Sequence, residues 1–250
     1  MLCLYGIVPA SQQPPDTPGI GGASLESVAD GTVAAICSEL ADEDNLTAED
    51  ANDYLGVLLA LVEAGTVLPL ALGTVMPDAA TVRSEVLRPQ GAHFEAELQR
   101  LAGKVEVHVD AEDDESFTIA ELANHSGIRL PADADFQQRL EVGEQVAALL
   151  VTERRRIGED VVDRLRSVAV ADTPRAILEG PEDPVLRWAF LVEKDRLAQF
   201  DDAYRLVQSE YPRLSIRATG PLPPVDFLDS GPAQGHKPAK PAPENSKWGW

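Results

Sequence analysis

The side chains of this sequence that are capable of chemistry are few and scattered. Its four histidines, His93, His108, His125 and His236, stand far apart, and none pairs with a cysteine or carboxylate at metal-ligand spacing, so no metal site is assigned. His108 lies in an alternating run, KVEVHVD, which places it on a strand face as a surface or ion-pair residue rather than a base. His125-Ser126 lacks the G-x-S-x-G elbow that would expose an activated serine. The glycines from Gly19 to Gly22 have neither the strand before nor the helix after that a phosphate loop requires, and no Walker lysine follows, so no nucleotide or other cofactor is expected. The acidic runs Asp42 to Asp44 and Glu112 to Glu115 do not match a calcium loop and read as solvated charge. Arg154, Arg155 and Arg156 form a basic island that pairs with Glu153 and Glu159 along a helix, docking of an acidic partner being the less favoured alternative. Trp248 and Trp250 end a proline-rich tail, and exposed aromatic residues of that kind serve as docking anchors. This inventory contains no catalytic centre, and the chain is not read as an enzyme.

Acidic residues outnumber basic ones 42 to 21 in a chain of 250, giving a net charge of -21 that repels nucleic acid and anionic membranes. That length suits two domains of ordinary size. Cys3 and Cys37 sit in apolar runs and are expected as buried thiols in a reducing cytosol, a bridge between them being the less favoured alternative. The opening MLCLYGIVPA has no basic start or long apolar middle and reads as a strand, with a cytoplasmic location expected. Leu55 to Met76 is apolar enough to suggest a membrane span, but Gly65 and Pro69 divide it into a buried helix and a strand.

The elements are organised around Val185 to Phe200, VLRWAFLVEKDRLAQF. Its first half is apolar on both alternations, as a central strand requires, and Asp195 is placed to cap the helix that follows. Before it come a strand from Leu2 to Val8, a hairpin about Asp30-Gly31, a helix opened by Thr47 with Asp50, and a strand from Val67 to Leu72. Two helices separated by Pro89 then lead to Gly103. From Gly103 onward the order is β-α-β-β-α-β, with one helix running from about Gln137 to Ser167, about 45 Å long at 1.5 Å per residue. The expected fold class is α+β with two domains. Residues 1-102 form the first, residues 103-227 form a ferredoxin-like sandwich, and residues 228-250 are a disordered tail too poor in apolar residues to fold. The sheet face away from the sandwich helices would carry Glu106, His108, Arg187, Leu191 and Arg217, a surface able to meet a partner.

Four stretches resemble one known family. GPLPPVDF from Gly220 is similar to the proline-rich signature that closes the folded part of the gas vesicle protein GvpF/GvpL family. LYGIV at Leu4 to Val8, VLPLALGTV at Val67 to Val75 and WAFLVEKDRLAQF at Trp188 to Phe200 follow that family in order and spacing. Leu72, Leu222 and Val225 stand where the family usually has aromatic residues, and Ala71 where a basic one is common. The resemblance implies a non-enzymatic accessory protein that acts in gas vesicle assembly, contacting the small hydrophobic shell protein and other gas vesicle proteins. Leu191, Arg187 and His108, on the sheet face or beside the groove between the domains, and Trp248 and Trp250 at the end of the tail are the expected contact residues. The alternative is a ferredoxin-like module that senses a small molecule, which rests on fold analogy alone.

Overall fold

The computed structural model describes residues 1–41, 46–114, 118, 119, 122, 134–175 and 184–229. The acidic run at Asp42, the residues His125 and His236, the turn at Gly180-Pro181, and Trp248 and Trp250 lie outside the described residues.

The first sheet contains β1 (Leu2–Pro9), β2 (Leu25–Asp30), β3 (Val33–Glu39), β4 (Leu68–Pro69) and β5 (Val75–Met76). Its order is β2-β3-β1-β4, with β5 also pairing β1, and every pairing is antiparallel. β1 is apolar on both alternations because helical segments cover both faces of the sheet. Its register against β3 slips between Leu4 and Gly6, leaving Tyr5 as the extra residue of a bulge. The slip reverses the alternation, so Cys3, Tyr5 and Val8 join one buried cluster while Leu4 and Ile7 join the other. Cys3 and Cys37 fall in different clusters on opposite faces, and both are free thiols. The hairpin turn lies one residue later than the Asp30-Gly31 pair suggests. Asp30 pairs with Val33, so Gly31 and Thr32 make the turn, with Gly31 at φ 66 in the position where only glycine is unstrained.

Helix α1 (Ala48–Ala64) opens with the full capping box that Thr47 and Asp50 promise, and buries Tyr54, Val57, Leu58, Leu61 and Val62 on the first cluster. Tyr54 stacks on Tyr5 with ring centroids 5.2 Å apart, and the Tyr5 hydroxyl meets Ser38 Oγ at 2.8 Å and accepts the Ile20 N–H at 2.8 Å. The strand expected over Val67 to Leu72 contracts to Leu68–Pro69, since proline has no N–H with which to extend a ladder. The two helices expected on either side of Pro89 instead form one helical path: α2 (Ala79–Thr81), a π-helical segment (Val82–Leu87), and α3 (Arg88–Arg100). Pro89 falls in the first turn of α3, where a missing N–H is tolerated, and the wider π turn just before it makes room for the ring.

The second sheet contains β6 (Lys104–Asp113), β7 (Ala171–Pro174), β8 (Leu186–Glu193) and β9 (Leu214–Leu222), in the order β7-β8-β6-β9, all antiparallel. Helices α4 (Phe136–Arg166) and α5 (Leu197–Glu210) cover one face, enclosing Val107, Val109, Val161, Leu165, Phe190, Phe200 and Val207. The buried residues of α4 lie between Leu150 and Leu165, and its first half leaves Phe136 and Leu140 exposed. Asp195 does not cap α5. It sits inside a 3-10 turn, Lys194–Arg196, and Arg196 at the helix entrance makes no capping bond, because the turn already occupies the preceding backbone. Of the basic island, Arg156 pairs with Glu153 as expected, but Arg154 reaches across to Asp113 of β6 at 2.7 Å. Among the described residues no helix is long and apolar enough to cross a membrane.

Buried clusters run across residue 103. Val105 and Leu197 pack with the α1 cluster, while Leu191, Ala171, Phe227 and Leu228 pack with the cluster beneath α3. Leu228, which the sequence reading assigns to the tail, is therefore part of the packed structure.

Candidate functional site

Two elements set the geometry where the sheets meet. β6 alternates, so Val107 and Val109 point toward α4 and α5 and Val105 packs with the α1 cluster, while Glu106 and His108 share the opposite face. Leu222, beyond Pro221, still pairs with Glu106 at the end of β9; Pro223 and Pro224 then stop further pairing, and the chain crosses that face as a strap carrying a 3-10 turn at Val225–Phe227. Gly220, in β9 beside its register shift against β6, sits close to that strand. A Cβ there would lie 3.0 Å from the Glu106 carbonyl oxygen and 3.2 Å from Val107, so a larger residue would press on β6.

Two buried carboxylates hold the strap. Glu106 is fully buried and accepts the Asp226 N–H on Oε2 at 2.9 Å, while Oε1 contacts His108 Nε2. Glu97 of α3 accepts the Asp229 N–H at 3.2 Å and is paired with Arg100, whose guanidinium also donates to the Phe227 carbonyl. Burial pushes the Glu106 carboxyl above its ordinary value, whereas the Arg100 hydrogen bond holds Glu97 below its own. Asp226 Oδ2 lies 3.4 Å from His108 Nε2 and 3.5 Å from Arg175 Nε, and Arg175 also reaches Asp110 at 3.2 Å. A second tie joins the halves where Lys194 donates to the Val62 and Gly65 carbonyls, the last acceptors of α1, which a cation stabilises.

The residues expected on an open sheet face are thus divided. Leu191 is 3% exposed, covered by Leu98, Leu101 and neighbouring side chains, so it is not part of an open docking surface. The second sheet turns this side toward α3, and an apolar residue there is removed from water. His108 is brought beside Glu106 and is part-buried rather than freely exposed. Arg187 lies opposite Asp110 in the β6 pairing, with its Nε buried and without a hydrogen-bond partner among the described residues. The roles of Glu97, Arg100 and Asp226 escaped the sequence reading. The one signal that could have found Asp226 was its place inside GPLPPVDF.

A groove of about 540 Å³ opens between the halves, lined by Leu59, Val62, Glu63, Val105, Lys194, Leu197, Gly220 and Pro221. Leu59 and Leu55, one turn apart on α1, are 39% and 45% exposed beside it.

The strap belongs to the same stretch whose sequence points to a family, and the comparison with known proteins decides the point. A sequence model described as gas vesicle synthesis protein GvpL/GvpF matches residues 2–229. The chain belongs to this gas vesicle protein family. It is 29% identical over 240 residues to gas vesicle protein F of a Streptomyces species, covering 90% of this chain and 98% of that protein. It is 25% identical over 233 residues to gas vesicle protein F1 of Halobacterium salinarum, covering 91% and 92%. The crystal structure of GvpF from Anabaena superposes with a TM-score of 0.79 at 23% identity, covering 94% of this chain and 98% of that one. GvpF from Microcystis aeruginosa gives 0.73 at 20% identity, covering 90% and 98%. These two structures share the fold of this GvpL/GvpF chain: a mixed α/β molecule with two antiparallel sheets.

Proposed function

We propose that this protein is a non-enzymatic accessory factor of gas vesicle assembly that binds the small hydrophobic shell protein and other gas vesicle proteins in the cytoplasm. The match of the gas vesicle family model across residues 2–229 carries the reading. In it, residues 1–102 and 103–227 are two α+β units, the second a ferredoxin-like sandwich, whose strand order β7-β8-β6-β9 agrees with that arrangement. Physical support comes from the surface. A shell subunit must be apolar enough to exclude water from a gas space, and such a chain aggregates unless a soluble partner covers it. The net charge of -21 keeps this protein dispersed, and the groove beside Leu55 and Leu59 offers apolar area within that acidic surface. Leu191 lies in the core, so the docking position moves from the sheet face to this groove.

Co-expression of the shell protein with tagged full-length chain tests the proposal. The shell protein is expected to co-purify, and Leu59→Asp combined with Leu55→Asp is expected to abolish its recovery while circular dichroism stays unchanged. Full recovery with the folded double variant refutes the groove, and no recovery with the native chain refutes shell binding.

A further inference from the structure

We infer that Glu106, His108 and Asp226 form a binding site for a divalent transition metal of the zinc type, joining β6 to the strap. This goes beyond the assembly role and does not depend on it. Each residue offers one donor atom, and the three atoms lie within 4.8 Å of one another. Zinc binds imidazole nitrogen and carboxylate oxygen at about 2.0–2.2 Å, which in tetrahedral geometry separates the donors by about 3.4 Å. His108 Nε2 and Asp226 Oδ2 already stand 3.4 Å apart, and Glu106 Oε1 touches the same nitrogen. Only the Glu106 oxygen has to withdraw to admit an ion.

The donor set selects the metal class. Two carboxylates and one imidazole suit zinc and its neighbours, whereas magnesium and calcium take oxygen ligands almost throughout. The surroundings resemble the support shell of a metal site. Glu106 is fully buried and oriented through Oε2 by the Asp226 N–H at 2.9 Å, and Arg175 Nε pairs at 3.5 Å with Asp226 Oδ2, the same oxygen that faces His108. His108 and Asp226 retain side-chain exposures of 18% and 35%, so an ion has a path in and a fourth position open to water. The metal takes the place of the hydrogen bond between His108 Nε2 and Glu106 Oε1, and because zinc takes its ligands deprotonated, binding releases a proton to solvent.

The sequence reading missed this arrangement for a definable reason. The spacing of Glu106 and His108, two apart on a strand, is common to any alternating surface, and the third donor comes from 120 residues beyond Glu106.

The test uses chelator-treated full-length protein titrated with zinc chloride, read by calorimetry and by thermal midpoint, with cobalt(II) absorption as a probe of coordination. One ion per chain is expected, with a midpoint that rises with zinc concentration and visible cobalt bands. Asp226→Asn preserves the backbone N–H on Glu106 and so preserves the strap, yet it is expected to weaken zinc at least about ten-fold. His108→Ala is expected to remove the cobalt bands. Absence of zinc binding by the native chain overturns the inference, as does equal binding and unchanged cobalt absorption in His108→Ala and Asp226→Asn.

Discussion

Replacing Leu191 by alanine is the sharpest probe of how the two sheets are joined. Leu191 is 3% exposed and belongs to a cluster drawn from β1, β3, α3 and the strap, so the substitution empties space bounded by separate elements rather than by one flexible loop. The lost methyl and methylene groups are worth about 0.8 kcal/mol each, and the residual cavity raises the total to about 2–5 kcal/mol. Against a typical total of about 5–15 kcal/mol, that is a large fraction of the stability. Urea unfolding followed by circular dichroism measures it, with Leu206→Ala as control because Leu206 is 60% exposed and its truncation should be nearly neutral. If Leu191→Ala unfolds within about 0.5 kcal/mol of the native chain, the face of β8 is open and the joining of the sheets described above is wrong.

Two further outcomes follow from the electrostatics. Burial raises the thiols of Cys3 and Cys37 to about 11, so both are protonated near neutrality and shielded; a thiol reagent at pH 8 is expected to label neither until denaturant is added, and rapid native labelling would contradict the burial. Glu97 is held below its ordinary value of 4.5 by Arg100 first and by the Asp229 N–H second, so its contribution is complete above about pH 4.5 and disappears as pH falls through the lowered folded value. Arg100→Met is expected to lower stability at neutral pH and flatten this acid limb, and an unaltered pH dependence would show that the pair does not stabilise the strap.

Local chemistry made much of the fold legible. The alternation of Val105, Val107 and Val109 set which face of β6 is apolar, the Thr47 and Asp50 pair marked the start of α1, and the stripe from Tyr54 to Val62 gave its buried side. Each depends on residues within a few positions of one another. The errors arose where a neighbour distant in sequence, or a backbone adjustment, prevailed. Pro89 is absorbed by a π turn that no residue type announces, the bulge at Tyr5 shifts which residues share a face, and Asp195 lies in a 3-10 turn instead of a cap.

The site shows the same division. Glu106 and His108 could be put on one face by counting along a strand, and the GPLPPVDF motif could be read as a chain that leaves the sheet. By itself the sequence determined the family, the acidic character and the period of each long element, because these depend on composition and near neighbours. Only the tertiary structure decided that Leu191 is core, that Asp226 lies over His108, and that two carboxylates hold the strap. Those facts depend on which faces of separate elements come together, and burial against a distant surface leaves no local periodicity to read.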